Sequence, residues 1–186
     1  MIVFAYLPKL KGGFELRNLY AHRYRLSTQG ATKIVDENSK AIYLVVGNWG
    51  RHQDVLSVYA ISGELLAQIK QRGFGIFPKF DLFLNDKKVG SLRRINFGNK
   101  DLILIKGLNW VVTGNIIKFV YRIYHKQTLI MSLQEVMLPS GKFLELAINN
   151  ETNEPLCLSI VAILDYFASS SQKKRRAHYQ FQVKYD

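Results

Sequence analysis

The stretch that most limits what this chain can become lies near its C-terminal end. Asn150-Glu151-Thr152-Asn153-Glu154-Pro155 reads as a helix start: polar side chains able to cap the first amides, acidic groups at the positive end, and a proline whose missing N–H falls where no partner exists. Leu156, Cys157, Leu158, Ile160, Val161, Ala162, Ile163 and Leu164 then follow without a polar stripe. A helix apolar on all sides has to be covered on all sides. It is too short to cross a bilayer, because the run closes at Asp165 and a span needs about 20 residues. The helix, about 154–170, is therefore a plug inside the protein.

What covers it must come from the rest of the chain, and that rest reads as strands. From about residue 14 to residue 149, short β-branched and aromatic runs alternate with turn residues. The clearest hairpin is Val55–Ile61, then Ser62-Gly63, then Leu65–Lys70, with Gly63 supplying the unusual backbone angle of a tight turn. Phe80, Leu82 and Leu84 alternate with Lys79, Asp81 and Phe83, and Asn85-Asp86 turns the chain into Val89–Leu92. Leu102–Ile105, Leu108–Gly114, a long run from Ile116 to Tyr124, Leu129–Leu133 after a turn at His125-Lys126-Gln127, and Lys142–Ile148 after Pro139-Ser140-Gly141 complete the set. Gln180–Tyr185 alternates again and fits a last strand or an ordered tail. The two halves look loosely duplicated, and no linker divides them. The expected fold is mainly β: a closed antiparallel barrel around one apolar helix.

A chain of 186 residues with 48% hydrophobic content suits a single domain over 1–186, with a short basic tail over 172–186. Its one cysteine, Cys157, cannot form an internal disulfide and sits between two leucines as a small apolar residue. No basic stretch precedes the apolar run Met1–Leu7, and Pro8 closes it, so a cytoplasmic protein with a strand at its start is expected. Twenty-six Lys and Arg against 14 Asp and Glu leave a formal charge of +12, which favours anionic partners by long-range attraction, although solubility alone accounts for such a charge equally well.

Asp54–Lys70, Leu108–Gly114 and the apolar helix from Glu154-Pro155-Leu156 to Leu164-Asp165-Tyr166 resemble, in this order, the tubby C-terminal-like superfamily, especially its LURP-one-related members and their bacterial relatives. Phospholipid scramblases are more distant kin. The resemblance covers most of the chain and implies a barrel of about twelve strands around a central hydrophobic helix. Tubby domains are known for phosphoinositide binding, scramblase relatives for lipid movement, and LURP-one-related proteins for roles in plant defence. Tubby's lipid-contacting residues do not match this chain position by position, so none is carried over. The membrane segment of scramblases is missing, which argues against scrambling.

Little in the residues points to catalysis. His22, His52, His125 and His178 lie far apart and none stands at metal-ligand spacing, so no metal or cofactor is expected. Gly73-Phe74-Gly75 lacks the lysine and hydroxyl of a phosphate loop and reads as a bend, and no nucleophile elbow is present. Asp165 is expected to be structural, bonded to backbone or to a basic partner at the barrel rim. The candidates for anionic-ligand binding are Lys70, Arg72, Lys79, Lys87, Lys88, Arg93 and Arg94, together with Lys173, Lys174, Arg175 and Arg176. Neighbours in a strand face opposite ways, so Arg93 and Arg94 cannot share one pocket unless the strand bulges. Each cluster also fits an ordinary solvated face. The resulting expectation is a non-enzymatic module for anionic lipid headgroups, peripheral at a membrane and without a transmembrane segment. Nucleic-acid binding and a protein-interaction scaffold are the alternatives.

Overall fold

A computed structural model describes residues 17–23, 26, 30–47, 55–73, 79–97 and 100–182, with the side chains of 96, 97, 100, 101 and 170–182 left out. The strands are β1 (Arg17–His22), β2 (Gly30–Val35), β3 (Ala41–Gly47), β4 (Val55–Ala60), β5 (Leu65–Gln71) and β6 (Phe80–Leu84). They continue as β7 (Lys87–Phe97), β8 (Lys100–Lys106), β9 (Trp110–Asn115), β10 (Val120–His125), β11 (Thr128–Leu138) and β12 (Gly141–Ile148). A 3-10 turn over Glu151–Asn153 leads into α1 (Glu154–Gln182).

Each strand pairs antiparallel with its sequence neighbours, and β12 returns to β1 from Arg17 opposite Ile148 to His22 opposite Phe143, so the sheet closes as a barrel. Closure gives every strand two partners and leaves no free edge. The period-two pattern then sends one side chain in two to the lumen: Ile103 and Ile105, Tyr121 and Ile123, Leu144 and Leu146 are all buried. A twelve-stranded barrel is too wide for its own side chains to fill, and α1 supplies the missing volume. Every residue from Glu154 to Asp165 is buried, as all-round apolarity requires.

Local chemistry explains the turns. Gly63 has φ +94° between β4 and β5, the left-handed region expected of it. Gly114 is needed for space: a Cβ there would stand 2.5 Å from the carbonyl oxygen of Val120 on β10.

Several expectations change. The run from Ile116 to Tyr124 is not one strand, because Asn115 Oδ1 accepts the N–H groups of Ile117 at 2.9 Å and Lys118 at 3.0 Å, and Phe119 takes φ +49°. This side-chain turn overrides the β propensity of the isoleucines, and β10 starts only at Val120. Leu108 and Asn109 likewise belong to the β8–β9 turn. The helix does not stop near residue 170 but continues to Gln182, carrying Lys173–Arg176 within it, since Gln, Lys, Arg and Ala favour helix and neither Gly nor Pro intervenes. Residues 180–182 are accordingly helical. The strand expected over Met1–Pro8, the residues 14–16, His52, the bend at 74–75, the turn at 98–99 and residues 183–185 lie outside the described residues.

Candidate anionic-ligand face

The basic residues of β5, β6 and β7 are arranged by strand register. Lys70 stands opposite Asp81, and Asp81 opposite Ser91, on the outer face of three adjacent strands. A bulge between Leu82 and Phe83 shifts the β6–β7 pairing and sets Lys88 opposite Phe83. Asp81 becomes the meeting point. Its Oδ2 accepts Arg72 Nε at 3.1 Å and its Oδ1 accepts Lys88 Nζ at 2.9 Å, while the two cations remain 58% and 52% exposed. Lys70 Nζ lies 4.7 Å from the centroid of the Phe83 ring, a contact in which the ring face attracts the ammonium.

The other predicted residues divide. Lys79 is exposed at the start of β6, where its carbonyl accepts the N–H of Arg72 at 2.9 Å. Lys87 is exposed opposite Leu84, and Arg93 is exposed opposite Leu104. Arg94 turns to the lumen side, its guanidinium carbon 4.6 Å from the Phe167 ring centroid on α1, so it is separated from Arg93 as alternation requires. Lys173, Lys174, Arg175 and Arg176 are on α1 and not on these strands. One cation was missed: Lys106 is exposed opposite Ser91 on β8. Its signal was the alternation of Ile103 and Ile105, which leaves Lys106 on the outer face.

Polar groups also hold both ends of the buried segment of α1, Glu154 to Asp165. At its start the buried Glu154 accepts Tyr43 Oη–H at 2.6 Å and lies 3.5 Å from Arg17 Nη1, which also reaches Glu151 Oε1 at 2.6 Å. Burial raises the Glu154 carboxyl above the usual carboxylate range, and burial with the bond to Glu154 pushes the Tyr43 phenol up. Farther along, Asp165 accepts Arg23 Nη1, the basic partner expected of it. Arg23 Nε also donates to Glu135 at 3.1 Å, Glu135 accepts Lys142 Nζ at 3.1 Å, and the Arg23 guanidinium carbon lies 3.5 Å from the Phe119 ring centroid.

A cleft of 420 Å³ opens beside the start of α1, lined by Arg17, Asn18, Asp36, Glu37, Asn38 and residues 148–151. Its polar groups are engaged with one another: Asn18 donates to Glu37 at 2.7 Å, and Asp36 Oδ1 accepts the N–H groups of Asn38 and Lys40 at 2.9 Å each. His22 packs on Phe143 with ring centroids 4.0 Å apart, and His125 ends β10 instead of standing in the turn. Cys157 is buried in the lumen, and burial pushes its thiol up. Among the described residues no three His, Cys, Asp or Glu side chains are grouped to hold a metal ion, and no helix is long and apolar enough to cross a membrane.

Comparison with known proteins agrees with this architecture. The uncharacterized protein YxjI of Bacillus subtilis strain 168 is 24% identical over 147 residues, which is 79% of this chain and 91% of that protein. A solved structure of a protein from Arabidopsis thaliana, AT5G01750, superposes with a TM-score of 0.57 over 82% of this chain and 91% of that one, at 16% identity, a likeness of fold. The family model described as LURP-one-related matches residues 17–165, from the first residue of β1 to the aspartate that Arg23 holds. With its closed twelve-stranded barrel and buried helix, the chain belongs to the LURP-one-related family, within the tubby-like fold.

Proposed function

We propose that the protein is a non-enzymatic binding module of the cytoplasmic side that docks on anionic lipid headgroups, phosphoinositides among them, through the outer face of β5–β7. The convergence of Lys70, Arg72 and Lys88 around a single carboxylate, Asp81, carries this reading. Two cations, Arg72 and Lys88, pair with the one carboxylate while Lys70 stands opposite it with its ammonium over Phe83, so the cluster keeps a net positive charge and exposed donors. Arg72 is half exposed even while bonded, which leaves guanidinium N–H groups directed to solvent for phosphate oxygens. Lys79, Lys87, Arg93 and Lys106 border the cluster and extend its field. The likeness to tubby domains supports the same class of ligand.

The test is co-sedimentation with phosphatidylcholine vesicles, alone or doped with phosphatidylserine or a phosphoinositide. Binding should require the anionic lipid. Each of Lys70→Gln, Arg72→Gln, Lys88→Gln and Arg93→Gln should weaken it roughly fivefold, at about 1 kcal/mol per charge near an anionic leaflet. Arg94→Gln, on the lumen side, should leave it unchanged. Equal recovery with neutral vesicles would reject lipid-headgroup binding, and a shift of an oligonucleotide in a gel without vesicle binding would favour nucleic acid.

A further inference from the structure

The turns of this barrel alternate between its two ends, because each strand runs antiparallel to the next. The β1–β2, β5–β6, β9–β10 and β11–β12 connections share one end. Arg23, just past β1, holds Asp165 there, so α1, whose chain starts after β12 at the opposite end, leaves the lumen by this end.

Among the described residues the exposed large apolar side chains are Ile61, Ile117, Val120 and Met137, at 53%, 55%, 42% and 71% exposure. Three of them fall at the end where α1 leaves. Ile117 occupies the β9–β10 turn, Val120 opens β10, and Met137 lies next to the last residue of β11. Since β10 pairs with β11, the two connections are neighbours. Lys118 is exposed between Ile117 and Val120, Arg72 and Lys79 bracket the β5–β6 connection on the same rim, and α1 carries Lys173–Arg176 past it.

We propose that the protein meets an anionic bilayer end-on, with this rim toward the lipid and with Ile117 and Met137 inserting among the acyl chains. The inference rests on the lipid-binding reading above and adds an orientation and a second set of contacts. Apolar tips flanked by cations match both layers of a membrane surface: the side chains leave water for hydrocarbon while the lysines stay among the phosphates. The charge decides against an apolar protein partner as the occupant, since Lys118 stands exposed between Ile117 and Val120 and Lys142 lies opposite Met137. The Asp81 cluster lies toward this end too, because Asp81 is the second residue of β6 and Arg72 follows β5, so end-on docking brings both features to one plane.

Single cysteines at Ile117, Met137 and Ile61 test the orientation. Ile61 is as exposed as Ile117 but sits in the β4–β5 turn at the opposite end. The native Cys157 is buried and does not compete for a thiol-reactive, polarity-sensitive fluorophore in the folded protein. With vesicles of phosphatidylcholine and phosphatidylserine, labels at 117 and 137 should shift to the blue and be quenched by brominated acyl chains, and the label at 61 should do neither. Ile117→Ser combined with Met137→Ser should lower partitioning roughly tenfold, a partial burial of both side chains, with an unchanged melting transition. If the protein sediments with the vesicles while labels at 117 and 137 stay hydrated, or while the label at 61 responds as strongly, end-on insertion is overturned and headgroup binding stands. If it does not sediment with anionic vesicles, both fall.

Discussion

Two buried acids bracket the lumen segment of the helix and are treated oppositely by their surroundings. Asp165 faces Arg23, itself buried, and the pair is extended by Glu135 and Lys142. Losing one member leaves the other as an uncompensated charge in a low-dielectric interior, so Asp165→Ala should destabilise the fold by about 3–5 kcal/mol. Arg23→Met with Asp165→Leu, which removes both charges, should restore much of that, as chemical denaturation would measure. Glu154 has a weaker hold on its charge: among the described residues its Oε1 has no hydrogen-bond partner, and Arg17 divides itself with Glu151. With its carboxyl raised by burial, the folded state binds the proton more tightly than the unfolded chain. Its contribution is therefore fully present below the ordinary carboxylate range and is lost as pH rises through the raised value. Glu154→Gln keeps an acceptor for Tyr43 and removes that dependence. The difference in stability, wild type minus Glu154→Gln, should fall from acid to neutral pH in parallel denaturant titrations; a constant difference would contradict it.

Among the elements, the helix and the barrel depend on each other. The helix has no polar face with which to stand in water, and the closed sheet cannot fill its lumen alone. Ile160→Lys places an ammonium midway along the lumen segment, at a side chain with 0% exposure inside the apolar core. The cooperative thermal transition should be lost. Retention of a normal melting curve would show that the helix can leave the barrel. The strands were legible one by one because alternation of apolar and polar residues needs only local spacing. The Ile116–Tyr124 run was misread because Asn115 directs its side chain into the backbone of the next residues, a hydrogen bond that hydrophobic patterning does not encode. The far end of α1 was placed too early for a related reason: the apolar period ends at Asp165, but helix propensity continues through the polar residues beyond.

The molecule as a whole carries an excess of positive charge, but that charge is not spread evenly in effect. Arg17 is taken up by Glu151 and Glu154, and Arg23 by Asp165 and Glu135, so these cations hold the helix instead of facing a partner. Arg72, Lys87, Lys88 and Arg93, on or beside β5–β7, remain at the surface. Vesicle binding through them should weaken steeply between low and physiological salt, because exposed charges are screened within about 10 Å at 0.1 M. The sequence by itself determined that the helix at 156–164 must be enclosed, that strands enclose it, and that the whole is strongly basic, since each follows from residue type and local spacing. Only the tertiary structure decided which cations act together. Arg72 and Lys88 meet at Asp81, with Lys70 set opposite it, because of the register and bulge of three strands, Arg94 is withdrawn toward Phe167 by the pleat, and Ile117 and Met137 are brought to one rim by the parity of the turns. Register and closure are relations between residues distant along the chain, and no local pattern specifies them.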